Sequence, residues 1–169
     1  MKSAALINIY LVDNDVLFLE EFKSTFNCEQ NHTLYTFSSV QKFLAHLKEQ
    51  SESHFSIVII NDMIMSHGLN TKSVVEILPL IKNIDKETSV IVLTDSDNRE
   101  LKLSSSDLRP DAFVKNDKML YFKLTPLLNR IVCRYELKRN KLNLRVAIVM
   151  AILVIALVVA YMIVASVVG

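Results

Sequence analysis

The sequence predicts an α/β protein: a five-stranded, doubly wound parallel sheet followed by one transmembrane helix near the carboxyl end. Three observations predict it. Short apolar runs rich in β-branched residues alternate five times with segments of helical period, as a right-handed βαβ succession requires. The two strongest runs, FSIVII from Phe55 and SVIVLT from Ser89, show no polar alternation, which suits central parallel strands covered on both faces. Finally, Val146 to Val168 carries no charge at all. Its length of about 34 Å as a helix exceeds the roughly 30 Å hydrocarbon core of a bilayer.

Composition narrows the class. Nineteen Lys and Arg stand against 18 Asp and Glu, so no global field draws this chain to nucleic acid. Cys28 and Cys133 are far apart and in no CxxC or CxxH spacing, and the four histidines lack ligand spacing. A reduced, cytosolic compartment is therefore expected for the amino-terminal part. Two glycines cannot supply a glycine-rich phosphate loop, which argues against a nucleotide-binding enzyme. Lys2 followed by Ala4 to Val12 imitates an export signal. Asn8 interrupts that run and Asp13, Asn14 and Asp15 end it without a small-residue cleavage site, so a first strand is the better reading.

In order, the spacing predicts a strand over Ile7 to Val12 and an amphipathic helix from Val16 to Phe26, with Asp15 as its cap. A weaker strand spans Thr33 to Phe37, and a second helix opens at Ser38 or Ser39. After the strand beginning at Phe55 comes a loop with Gly68, then a helix from about Thr71 to Ile84 that Pro79 should loosen. Ser89 to Thr94 is the fourth strand, and DSDNRE opens a short helix. Ala112 to Lys115 is the fifth, followed by a helix from about Thr125 to Tyr135. The expected division is a domain over 1–135, a basic juxtamembrane linker over 136–145 and a membrane span over 146–168. Lys138, Arg139, Lys141 and Arg145 precede the span, so the positive-inside tendency places the amino-terminal domain in the cytoplasm of a single-pass protein.

The carboxyl ends of the strands are where open α/β sheets bind ligands. Asp13, Asn14 and Asp15 follow the first strand, Asp62 the third, Thr94 ends the fourth and Lys115 the fifth. Acidic groups gathered at one point call for a cation, and oxygen ligands with open water positions suit magnesium. A lysine and a hydroxyl beside them could hold a phosphoryl group carried on a carboxylate.

In this order the strings LVDND, IVIINDMIM, SVIVLT and DAFVKN resemble the receiver domain of two-component response regulators, over residues from about 6 to 135. The resemblance implies the flavodoxin-like receiver fold. It implies Asp62 as phosphoacceptor, Thr94 as the phosphate-sensing hydroxyl and Lys115 as the phosphate-binding cation. It implies Mg2+ held by Asp13, Asn14 and Asp62, and a histidine kinase or phosphotransfer protein as partner. Met65, three residues after Asp62, favours Asp62 over Asn61 as the aligned position, and a one-residue slip would put Asn61 there; Lys115 and Asn116 pose the same choice. Asn14 replaces the family's second acid. Asp95, Ser66, Asn116 and Arg109-Pro110 also depart from its pattern.

Two functions follow as expectations. The first is a membrane-anchored receiver in a phosphorelay, phosphorylated on Asp62, with receiver-type self-phosphorylation chemistry and no classical enzyme activity. The second is a phosphorylation-independent pseudo-receiver acting as a membrane-tethered docking or scaffold protein. No output domain is legible, so output is expected through protein contacts, with a homodimer as a candidate assembly.

Overall fold

A computed structural model of the chain describes residues 7–26, 32–50, 55–62, 74–95 and 109–168, without the side chains of Val75 and residues 158–168. The described elements run β1 (Ile7–Val12), α1 (Val16–Thr25), β2 (His32–Phe37), α2 (Val40–Gln50), β3 (Phe55–Asn61), α3 (Val74–Ile84), β4 (Ser89–Thr94), β5 (Ala112–Lys115) and α4 (Leu120–Val168). The helix expected after DSDNRE and the loop around Gly68 lie outside the described residues.

All strand pairs are parallel, in the order β2-β1-β3-β4-β5. This is a doubly wound order whose direction of winding reverses between β1 and β3. The uninterrupted apolar runs have their cause here. Every residue of β1, β3 and β4 is buried, whereas the edge strands β2 and β5 are only partly so. Asn8, the polar interruption in β1, donates from Nδ2 to the Tyr10 hydroxyl at 3.2 Å, which satisfies both buried groups.

Strand alternation splits the core into two layers. Tyr10, Val12, Val58, Ile60, Val90 and Val92 face one way, packed with Phe43 and Leu47 of α2 and Val74, Ile77, Leu78 and Ile81 of α3. Tyr10 stacks on Tyr35 at 5.4 Å between ring centroids and meets Phe43 at 5.7 Å. Ile9, Leu11, Ile57, Ile59, Ile91 and Leu93 are equally buried and face the other way. Right-handed crossovers put α1 on that second side. There Phe22 is fully buried, and its ring touches those of Phe18, Phe26 and Tyr121.

The chain divides into two compact units, Met1–Pro126 and Leu127–Gly169. The last helix differs from expectation. It starts at Leu120 rather than near Thr125 and runs unbroken through residues 136–145, with Pro126 inside its second turn. Asp117 explains the early start: its Oδ1 accepts the Met119 N–H at 2.9 Å, and its carbonyl accepts the Leu120 N–H at 2.8 Å. From Val146 to Leu157 every side chain is exposed, and α4 is long and apolar enough to cross a membrane.

Candidate functional site

The site is built from the residues that end each strand. Asp13 directly follows β1 and is 1% exposed; its backbone N–H still bonds the Phe37 carbonyl of β2 at 3.0 Å, as a strand residue would. Asn61 is the last residue of β3 and is also buried. The β1–β3 register pairs Leu11 with Ile59 and Val12 with Ile60, so the next pair is Asp13 with Asn61, side by side on one face. The Asn61 Nδ2 donates to Asp13 Oδ2 at 2.6 Å. A carboxylate only accepts, so the amide must turn its N–H2 toward it. This contact lies at the β1–β3 switch point, where the winding reverses and ligands bind in such sheets.

The other oxygen of Asp13 is engaged too: Oδ1 accepts the Asp15 N–H at 2.9 Å. Burial nonetheless pushes the Asp13 carboxyl above its ordinary range, because desolvation of the charge outweighs these donors, and Asp15 adds like-charge repulsion. Asp15 itself is exposed and caps α1, its Oδ1 accepting from Leu17 N at 2.9 Å and Phe18 N at 3.3 Å. Asn14, expected as a metal ligand, is exposed.

Asp62 is the first residue beyond β3, half-buried, in a tight helical turn. Thr94 ends β4, is 4% exposed, and is paired in register with Lys115, the exposed last residue of β5. The Asn116 N–H donates to the Thr94 carbonyl at 3.0 Å and locks this corner. Since Asn61 pairs with Leu93, Thr94 lies one residue further toward the carboxyl edge. The fold thus gathers Asp13, Asn61, Asp62, Thr94 and Lys115 at one edge of the sheet, with Asn61 and not Asp62 in register with Asp13. Met65 and Ser66 fall outside the described residues.

The resemblance implies magnesium at this edge. That ion takes carboxylate and water oxygens in near-octahedral geometry. Here each Asp13 oxygen accepts from the chain's own nitrogen, and the group facing it across the strands presents a donor. Among the described residues no three of His, Cys, Asp and Glu are grouped so as to hold a metal.

Comparison with protein families and with curated proteins finds no match in sequence. Comparison with solved structures does. A response regulator receiver domain protein from Clostridium thermocellum superposes with a TM-score of 0.63 at 20% identity, over 78% of this chain and 98% of that one. A CheY-like receiver domain protein from Methanospirillum hungatei gives 0.59 at 16% identity, over 78% and 98%. The Legionella pneumophila response regulator LqsR gives 0.61 at 16% identity, over 83% of this chain and 48% of its own. The amino-terminal part of this protein is a doubly wound α/β domain of the flavodoxin-like class. More narrowly, its fold is that of response regulator receiver domains.

Proposed function

We propose that this chain is a receiver-fold docking module, tethered to a membrane by α4, that works without phosphoryl transfer. One observation carries the reading: the residue in register with Asp13 at the switch point is Asn61, hydrogen-bonded to it at 2.6 Å. Asp62 follows Asn61 as Asn14 follows Asp13, so the carboxylate that could act as nucleophile toward phosphorus stands beside an amide where a second acid would share a cation. Asn61 itself is no such nucleophile, and its N–H takes one of the lone pairs that Asp13 could offer a cation.

The tether reading rests on the uncharged stretch Val146–Val168, which is apolar on every face and whose described side chains are covered by no part of the protein. Basic residues before it favour a cytoplasmic amino-terminal unit. Partners would be proteins that read receiver surfaces, histidine kinases or phosphotransfer proteins among them, and contact alone would carry the signal. The first expectation, phosphoryl transfer to Asp62, is supported by the likeness to receiver folds and by Thr94 and Lys115, which stand paired at the same sheet edge, where a hydroxyl and a cation could hold phosphoryl oxygens.

The two readings separate with the detergent-solubilised full chain and beryllofluoride plus magnesium, which mimic a phosphorylated aspartate. A docking module keeps the same melting temperature with and without them. A rise in wild type that is absent in Asp62→Asn establishes the phosphorelay reading instead.

A further inference from the structure

We propose that Arg130, Arg134, Lys138, Lys141 and Arg145 form a cationic ridge that binds the anionic headgroups of a phospholipid leaflet. The inference rests on the membrane-tether reading of α4. All five side chains are exposed on one uninterrupted helix. At 3.6 residues per turn, their positions fall within about 80° of arc. Of the other charged residues between Leu127 and Gly169, Arg139 and Glu136 both lie away from this ridge.

A topology signal depends on the number of basic residues near the span and makes no demand on the helix face they occupy. Confinement of five cations to one stripe is an additional feature, and it defines a directional surface. Its end meets the apolar stretch directly at Val146. Arg145, Lys141 and Lys138 lie within about 12 Å of that border along the axis, inside the headgroup layer plus one screening length. Arg134 and Arg130 continue the ridge for about 12 Å more, and a tilt toward the ridge side lowers them toward the leaflet. Long basic side chains bury their stems while the charged head reaches lipid phosphate.

The test uses the full chain reconstituted in phosphatidylcholine vesicles carrying spin-labelled phosphatidylglycerol or spin-labelled phosphatidylcholine, with the motionally restricted fraction as readout. The expected result is a several-fold preference for phosphatidylglycerol that falls as salt is raised. It should approach unity when Arg130, Arg134, Lys138, Lys141 and Arg145 are all replaced by Gln, and survive Arg139→Gln. Equal affinity for the two lipids in wild type, or the same loss from Arg139→Gln as from the ridge variant, overturns the ridge. Alkaline carbonate treatment of the same vesicles tests the tether separately. Retention without lipid preference defeats the ridge alone, whereas release of the wild-type chain defeats the tether and the ridge together.

Discussion

The Asn61 side chain donates its amide to the Asp13 carboxylate across 2.6 Å, joining the ends of β3 and β1 at the point where the sheet reverses its winding. The bond pairs a neutral donor with a buried acceptor, so the residue facing Asp13 across the strands adds no charge. Replacing either partner changes the electrostatics of the whole sheet edge.

Asn61→Asp sets two carboxylates side by side in a buried place. Without a cation we expect a loss of about 1–3 kcal/mol from the broken bond and the like-charge contact. Millimolar magnesium should restore part of it by binding the folded form preferentially. Thermal melts of the full chain in detergent, with magnesium or with a chelator, check this. Wild type should show no magnesium-dependent shift.

The raised Asp13 carboxyl makes a pH prediction of definite sign. Its folded value lies above the ordinary 3.8, so the folded state holds the proton more tightly than the unfolded chain. The associated stability is fully present below the unfolded value and is lost as pH rises through the folded one. Asp13→Asn removes this loss. The stability of the variant relative to wild type should therefore increase as pH rises through that window, read by urea unfolding at a series of pH values.

Asp15 caps α1 from an exposed position and satisfies two first-turn donors. Asp15→Ala should cost about 1 kcal/mol, and Asp15→Ser should recover most of it. Chemical denaturation measures both, and equal stability of all three chains would remove Asp15 as a cap.

Leu157 lies near the middle of the uncharged stretch and is 70% exposed. Leu157→Asp adds roughly 3–4 kcal/mol to the cost of insertion at the helix centre. Alkaline carbonate extraction of membranes should release a larger fraction of this variant than of wild type.

Most of the fold was legible because parallel strands buried on both faces write themselves as apolar runs. Ile7–Val12, Ser89–Thr94 and Ala112–Lys115 were read with their observed bounds. The extent of α4 was not, because a charged stretch such as Leu137 to Leu144 reads equally as linker or exposed helix, and only the absence of a breaker points to continuity. The site was legible as a set of residue types at strand ends, whereas the pairing of Asn61 with Asp13 was not. Asn61 and Asp62 are adjacent, and local sequence gave weight to Asp62 through Met65. Which of them meets Asp13 depends on the pairing of Ile57 to Ile60 with Ile9 to Val12, a relation between strands far apart in the chain. The burial of Asp13, and hence its raised carboxyl, likewise comes from the covering layers and has no local signature.

On the docking reading, the Asn61–Asp13 pair leaves this sheet edge inert toward phosphoryl donors. The most direct measurement is the intact mass of the full chain after incubation with acetyl phosphate and magnesium, with Asp62→Asn treated in parallel. Wild type should gain no phosphoryl group and match the variant. A phosphoryl adduct on wild type that base removes, as it removes an acyl phosphate, and that is absent in Asp62→Asn, would contradict it.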